Sequence, residues 1–340
     1  MSEEIFLRKK EINNEIIETI YFGGGTPSLC TTTEIELLIK TIYTNFQVTE
    51  NPEITLEANP DDLTEEKIKQ LSKTKINRLS IGVQSFFEED LQLMNRAHNV
   101  NEALQCIEIS KKYFDNISID LIYGIPGMSN ERWTQNLETA LQLNVPHISS
   151  YALTVEDNTA LKKMIKNGTV MSIDDASAEA HYRILVEKLE GAGFINYEFS
   201  NFGKPGFFSK NNTAYWNGKS YLGIGPSAHS YNGKQRSWNI ANNSLYLKGV
   251  KGNKRNFEVE ILSQNDRFNE YIMTRLRTIE GVSLSEIKKE FGEFYFKHLC
   301  KKMEVLVGKN LLKLDKNVIS ITKKGKFLAD GIASDLFFLN

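Results

Sequence analysis

The sequence is poor in cysteine, with three in 340 residues. Cys30, Cys106 and Cys300 lie far apart along the chain and form no Cys-x-x-Cys pair. A small secreted fold held together by disulfides needs more cysteines at closer spacing, so that class of protein is excluded. We expect three reduced thiols, most of them buried, as in a protein of the cytosol.

The sequence also lacks a long apolar run and an excess of either charge. No apolar run approaches the roughly 20 residues that cross a bilayer, and the charged start MSEEIFLRKKEINNE has no apolar core of a secretory signal. The 41 Lys and Arg residues nearly balance 43 Asp and Glu, for a formal net charge of -2. Such a balance creates no overall field that attracts nucleic acid or anionic lipid. We predict a cytoplasmic protein without a transmembrane segment and without a nucleic-acid partner.

Short apolar runs alternate with helical patterns over the first two-fifths of the chain. The sequence predicts strands at 19–22, 53–57, 78–83, 118–122 and 147–151 and helices at 31–46, 64–72, 101–113 and 130–143. Helical segments show apolar residues three and four positions apart, as Ile35, Leu38, Ile39 and Ile42 do. Repeated strand–helix units predict a parallel α/β sheet with right-handed crossovers, either open or curved into a barrel.

Polar residues and glycines fall where these predicted strands end. Gly23-Gly24-Gly25 follows the first strand, and Glu57, Gln84 and Asp120 lie at or near the ends of three others. Ligands of parallel α/β folds bind at the carboxyl ends of the strands, so these residues form a candidate site. The triple glycine is not a phosphate loop, because no Gly-Lys-Ser/Thr follows it. By itself a triple glycine is as often a tight turn as a site.

The residue types at this edge suit an adenosyl amino acid. An arginine such as Arg96 pairs well with a carboxylate, Glu57 can accept hydrogen bonds from an ammonium group, and an aspartate such as Asp120 can accept from a ribose diol. S-adenosylmethionine (SAM) is the common compound of this kind. The alternative is that Arg96 and the acids form surface ion pairs, worth under about 1 kcal/mol each. On these residues alone the two interpretations stand equal.

The second half of the chain has a different character. Residues 195–260 are aromatic, glycine-rich and looped, and from about residue 262 helices are predicted at 266–279, 285–291 and 294–309, followed by a hairpin at 311–321. Helices followed by a small hairpin are typical of a winged-helix-like unit. Residues 261–340 carry 14 Lys and Arg against 10 Asp and Glu, less positive charge than a DNA-binding winged helix usually concentrates. A structural lid or docking role is favoured over DNA binding.

Several segments resemble, in order, the landmarks of one known family. They are YFGGGTPS, EITLEANPDDLT, NRLSIGVQSFFEEDLQLMNRAH, ISIDLIYGIPG and YLGIGPSAHSY. The chain resembles the oxygen-independent coproporphyrinogen III oxidase family of radical SAM proteins, and most closely its HemW heme-chaperone branch. The resemblance covers nearly the whole chain.

The resemblance implies a fold and a set of binding residues. The expected fold is α/β, a partial parallel (β/α)6 barrel with SAM across its top and a small C-terminal winged-helix-like domain. Residues 1–170 would form the SAM-binding part of the barrel, 171–260 its completion with the aromatic-rich region, and 261–340 the winged-helix-like domain. The implied ligands of the methionine end are Gly24, Gly25, Thr26, Glu57 and Gln84, with Arg96 at the carboxylate and Asp120 at the ribose.

The sequence departs from the family at the iron–sulfur cluster. Members carry a Cys-x-x-x-Cys-x-x-Cys loop whose three thiolates hold a [4Fe–4S] cluster. Here 22 residues precede Gly23 and none is a cysteine. We expect a chain that begins inside the first helix, without the first strand and the cluster loop, and that is not a competent radical enzyme. SAM binding would then be weak or vestigial, and the strand at 19–22 would expose a sheet edge that favours self-association.

Heme is the other cofactor that the resemblance brings in. His229, in the PSAHS segment, is a candidate axial ligand, although a lone histidine is more often a hydrogen-bonded packing residue. HemW proteins carry a His-Asn pair before a Tyr-Trp that is linked with heme binding, and this chain has Asn211-Asn212 there. We predict a heme chaperone or heme-trafficking protein with an unidentified heme acceptor. The alternatives are an oxygen-independent coproporphyrinogen III oxidase, which decarboxylates propionates by radical chemistry, and a degenerate SAM-binding paralogue.

Overall fold

A computed structural model describes residues 1–12, 15–157, 159–172 and 174–339. The chain divides into two compact units. The first unit comprises Glu18–Glu36 and Glu50–Ser209, and the second comprises Met1–Ile17, Leu37–Thr49 and Lys210–Asn340. The boundary after residue 209 falls inside the predicted 171–260 segment.

The helices and strands are named in chain order. The helices are α1 (Ser2–Leu7), α2 (Thr32–Asn45), α3 (Glu65–Leu71), α4 (Glu88–Leu93), α5 (Val100–Ser110), α6 (Asn130–Gln142), α7 (Ala160–Lys166), α8 (Asp175–Gly191), α9 (Lys210–Trp216), α10 (Asn243–Lys251), α11 (Gln264–Leu276), α12 (Leu284–Phe291), α13 (Glu293–Gly308) and α14 (Ala329–Leu336). The strands are β1 (Ile17–Phe22), β2 (Val48–Ala58), β3 (Arg78–Gln84), β4 (Ile117–Tyr123), β5 (His147–Ala152), β6 (Ile195–Glu198), β7 (Asn201–Gly203), β8 (His229–Tyr231), β9 (Gln235–Asn239), β10 (Phe257–Ile261), β11 (Val282–Ser283), β12 (Leu312–Asp315) and β13 (Val318–Ile321).

Seven strands form the sheet of the first unit, in the order β1-β2-β3-β4-β5-β7-β6. The five strands predicted from the sequence are all present, and β2, β3, β4 and β5 pair in parallel as predicted. Two further strands, β6 and β7, were not predicted individually; they pair antiparallel with each other, and β7 pairs antiparallel with β5. Residues 199 and 200 alone connect these two strands, and so short a link can join antiparallel neighbours but not parallel ones.

The two faces of this sheet differ in polarity. Alternate strand residues such as Leu79, Ile81, Ile119 and Ile148 are completely buried on one face. The opposite face carries polar side chains in register across the strands, with Ser80 beside Ser118 and Ser118 beside His147, and with Asp120 beside Ser149 and Ser149 beside Asn201. This polar face of the sheet therefore also carries Asp120 of the candidate site.

The second unit contains two small sheets and the winged-helix-like segment. One sheet has the order β10-β9-β8 and the other the order β11-β13-β12. Helices α11, α12 and α13 and the β12–β13 hairpin match the predicted elements to within a few residues. Their core is apolar and includes Phe268, Ile272, Ile287, Leu299 and Ile319, all fully buried.

Helix α1 contributes charged residues to the interior of the second unit. Glu4 and Arg8 are almost completely buried, and they form an ion pair. The guanidinium of Arg8 also donates to the carbonyl of Gly223 and the hydroxyl of Ser230. The charged start of the chain is thus part of the folded unit. None of the helices in the described ranges is long and apolar enough to cross a membrane.

Candidate functional site

The triple glycine forms a turn directly after β1. Gly24 and Gly25 have φ of +76° and +64°, a region that favours glycine, and a Cβ at either would meet no atom within 4 Å. Gly23 is required for a different reason, because a Cβ there would lie 2.5 Å from the ring of Tyr21. Glu57 holds the turn: it accepts from the Gly24 amide at 3.0 Å and from the Tyr21 hydroxyl at 2.6 Å. The turn leaves open space above two glycines, as a site for a ligand requires.

A chain of hydrogen bonds connects Arg96 to the segment that follows the glycines. Arg96 donates to Asn59 Oδ1 at 2.8 Å, and the Asn59 amide donates to Asp62 at 3.3 Å. The buried Ser28 hydroxyl donates to the same Asp62 carboxylate at 2.7 Å. We name Ser28, Asn59, Asp62 and Arg96 the arginine chain. Its first three members were not among the predicted site residues; the Asn-Pro-Asp-Asp that follows β2 was the available signal for Asn59 and Asp62.

Gln84 and Arg96 approach each other over Gly82. A Cβ built on Gly82 would lie 2.8 Å from Gln84 Nε2 and 3.5 Å from Arg96 Nη2. Gln84 itself has φ of +69°, which is uncommon for a residue with a side chain. The register of β3 against β4 shifts between Ile81 and Gln84. The end of β3 is therefore irregular at the point where two predicted ligands meet.

Asp120 lies on β4 beneath these groups, and its pKa is displaced upward. Burial raises the pKa of the Asp120 carboxyl to about 6, and the nearby negative charge of Glu57 also raises it. The hydrogen bond from Ser149 and the positive charge of Arg78 act in the opposite direction. Burial and Glu57 likewise raise the pKa of the Tyr21 hydroxyl. The Glu57 charge is thus close enough to act on both Asp120 and Tyr21.

The structure brings most of the predicted SAM ligands into one region of the first unit. The Gly24 amide donates to Glu57. The side chains of Gln84 and Arg96 both lie near Gly82. The charge of Glu57 raises the pKa of Asp120. Thr26 precedes a short 3-10 turn, and its carbonyl accepts from the Leu29 amide. The open glycine turn, the arginine and the acids are the residue types expected from the sequence for a zwitterionic adenosyl compound.

His229 belongs to the second unit, at the start of β8. Its side chain is exposed and stacks on Trp238, with ring centroids 5.7 Å apart. Consecutive aromatic contacts of 5.4–6.1 Å join Trp216, Tyr215, Tyr221 and Tyr231. We call these four residues, together with His229 and Trp238, the aromatic strip. Arg277 lies 5.1 Å from the ring of Trp216.

The three cysteines do not supply a ligand set for an iron–sulfur cluster. All three are free thiols; Cys106 is buried, and burial raises its pKa to about 12. Three thiolates would have to converge on such a cluster, but within the described residues no group of three or more His, Cys, Asp or Glu side chains is placed to hold a metal ion. These residues do not fit a cluster, and no step of the chemistry is assigned to one.

Comparison with known proteins identifies the family. A profile for the Radical SAM superfamily matches residues 2–140, and one for the HemN C-terminal domain matches residues 262–328. The heme chaperone HemW of Lactococcus lactis subsp. lactis (strain IL1403) is 35% identical over 94% of this chain and 86% of its own length. HemW of Bacillus subtilis (strain 168) is 32% identical over 93% of this chain and 84% of its own length.

A solved structure supports the fold. Coproporphyrinogen III oxidase (HemN) from Escherichia coli, described as a radical SAM enzyme, aligns over 99% of this chain and 81% of its own length with a TM-score of 0.84. At 23% sequence identity, this similarity shows a shared fold only. The identity and coverage of the HemW relatives are what decide the family. The chain belongs to the HemW family of radical SAM proteins.

Proposed function

We propose that the protein is a heme chaperone of the HemW type, which binds heme and passes it to an acceptor protein in the cytoplasm. The observation that carries this proposal is 35% identity to a named heme chaperone over 94% of the chain. The first unit would bind SAM and the second would bind heme. The acceptor is an unidentified apo-protein.

The aromatic strip suits a flat macrocycle such as heme. Aromatic rings favour offset or edge contacts with another π-system, and the exposed members of the strip offer faces for them. His229 can provide an axial nitrogen, because its ring lies at the surface on Trp238. Arg277, beside Trp216 and paired with Asp330 at 2.6 Å, would exchange that partner for a propionate. The absence of a histidine at Asn211 makes His229 the ligand that we propose for this chain.

The residues of the first unit would bind SAM as the sequence predicts. Gly24, Gly25 and Thr26 would face its methionine end with Glu57 and Gln84. Arg96, held by the arginine chain, would pair with the SAM carboxylate, and Asp120 would accept from the ribose hydroxyls. SAM supplies an adenosyl group and a sulfonium centre when bound. In this chain those residues bind and orient the compound, and we assign them no bond-breaking step.

The alternative is oxygen-independent coproporphyrinogen III oxidase, favoured by the fold shared with HemN. That reaction needs an electron from a cluster, and the part of the chain that the structure describes contains no group of three side chains placed to hold one. A degenerate paralogue that keeps only the SAM pocket is the other alternative. Anaerobic incubation with coproporphyrinogen III separates the enzyme from both binding proteins: turnover would support the oxidase, while SAM binding without heme binding would support the paralogue.

Replacing His229 by alanine is expected to weaken heme binding about tenfold, equivalent to about 1.4 kcal/mol. The reason is that the variant loses an axial nitrogen but keeps the aromatic strip, which still holds the macrocycle by stacking. The measurement is titration with hemin followed by the Soret band, which should also shift in position. His298→Ala is the matched control, because His298 lies in α13 and hydrogen-bonds to backbone carbonyls. An unchanged affinity and spectrum in His229→Ala would rule out this ligand.

Self-association through β1 is expected when the protein is concentrated. Strand β1 is the last in the sheet order, with no further strand beyond it among the described residues, and an open edge pairs readily with another chain. Ile16, 59% exposed just before β1, offers a place to add an edge charge. Ile16→Lys should lower the sedimentation coefficient at high concentration, while Met171→Lys, which adds the same charge elsewhere, should not. A single monomeric species at every concentration would contradict the prediction.

A further inference from the structure

The exit of β3 contains a strained turn at Gln84. The Ser85 amide donates to the Val83 carbonyl at 2.9 Å across Gln84, whose φ is +69°. This is the γ-turn with positive φ, which is rare and strained. A residue keeps such a sparsely populated conformation when several contacts from the surrounding structure hold it there. The contacts around Gln84 therefore indicate what holds it in this conformation.

Buried side chains from two other helices and a loop hold the residues around this turn. His98, buried before α5, donates from Nε2 to the Val83 carbonyl at 3.0 Å. Asn136, completely buried on α6, accepts from the Phe86 amide at 2.6 Å through Oδ1. The buried Ser85 hydroxyl lies 3.2 Å from the same Asn136 oxygen and donates to Asp90 at 2.7 Å.

Each of these contacts fixes a backbone group on one side of Gln84. His98 fixes the carbonyl before it, and Asn136 fixes the amide two residues after it. With both ends held, the backbone between them is confined to the observed turn, in which Gln84 Nε2 lies over Gly82 near Arg96. Because all these groups are buried, their hydrogen bonds are costly to break without replacement.

We infer that Asn136 is a positioning residue of the proposed SAM site, which acts by holding the Val83–Phe87 turn so that Gln84 meets Arg96 over Gly82. Among the described residues Asn136 has no hydrogen bond to a predicted ligand, and it lies 50 positions from Phe86 along the chain. His98 supports the same turn from the other side. The inference rests on the proposed SAM binding for its functional part, but not for its structural part.

The structural part is tested by a double-mutant cycle in urea unfolding, which needs no ligand. Gln84→Gly should raise the unfolding midpoint in the otherwise unchanged chain, because glycine adopts positive φ without strain. In the Asn136→Ala chain the turn has already relaxed, so Gln84→Gly should give no increase. The same increase in both backgrounds would overturn the inference, since the strain would then not depend on Asn136.

The functional part is tested by calorimetric titration with SAM. Asn136→Ala should raise the Kd at least tenfold, while Leu137→Val, a small buried change on the same helix, should leave the Kd within about twofold. Equal weakening in both variants would mean that α6 acts through general stability and would overturn the positioning role. If the unchanged chain shows no SAM binding, the proposed function of the site fails, and the unfolding cycle still decides whether Asn136 holds the turn.

Discussion

Replacing Glu4 by alanine is expected to lower the free energy of unfolding of the second unit by about 3–5 kcal/mol. The Glu4 carboxylate is completely buried and accepts from the Gly225 amide at 2.8 Å, the Asn239 amide at 2.6 Å and the Tyr246 hydroxyl at 2.6 Å. It also pairs with Arg8 at 3.3 Å. Alanine would remove the acceptor of the Gly225 amide and the Tyr246 hydroxyl, whereas the Asn239 side chain keeps its bond to the Gly225 carbonyl at 2.8 Å. Buried donors left without an acceptor carry a desolvation cost that nothing offsets.

The control for this prediction lies one residue away. Glu3 is on the same helix but exposed, so Glu3→Ala should change stability by no more than about 0.5 kcal/mol. Urea unfolding followed by tryptophan fluorescence reports on both variants, since all three tryptophans are retained. A loss in Glu4→Ala no larger than that in Glu3→Ala would show that the buried pair contributes little.

Replacing Asp120 by asparagine is expected to stabilise the fold at neutral pH while weakening SAM binding. The pKa of Asp120 is raised from its usual 3.8 to about 6 in the folded protein. Between these values the folded protein keeps a proton that the unfolded chain has released. Raising the pH through this window therefore lowers stability, by at most about 3 kcal/mol for a shift of this size. Asparagine cannot ionise and avoids that loss.

The pH dependence distinguishes this effect from ordinary repacking. Urea unfolding at pH 4 and at pH 7.5 should show a gain for Asp120→Asn at the higher pH and little difference at the lower. Asp115→Asn, an exposed change in the loop before β4, should show no such contrast. SAM affinity should fall in Asp120→Asn, because an amide offers one acceptor oxygen in place of two. A gain of the same size at both pH values would contradict the assigned ionisation.

The positions of the strands could be predicted from the sequence because they depend on local patterns, whereas the ligand roles of the residues at their ends stay a prediction. The predicted strands at 78–83 and 118–122 alternate with amphipathic helices, and the observed strands β3 and β4 differ from them only at their ends. Glycine at positions 24 and 25 follows a strand, and its need for positive φ is a local requirement. The family motifs added the SAM-binding role that we propose for these positions.

The residues that organise the site could not be predicted in the same way. Asn136 lies inside an ordinary helix, and no local pattern marks it as a partner of the Phe86 amide. Glu4 lies in a charged segment that has the composition of a solvated surface helix, whereas tertiary contacts bury it. The antiparallel β6 and β7 were missed because each is only three or four residues long. For Asn136 and Glu4 the deciding interactions join residues distant in sequence.

The arginine chain has a consequence for how this protein can change in evolution. Ser28, Asn59, Asp62 and Arg96 are connected by successive hydrogen bonds, so a replacement at one position leaves a neighbour with an unmatched donor or acceptor. Such a replacement is tolerated best when a second replacement gives the neighbouring residue a new hydrogen-bond partner. The four positions should therefore be inherited as a block, and related lineages should differ at several of them together or at none.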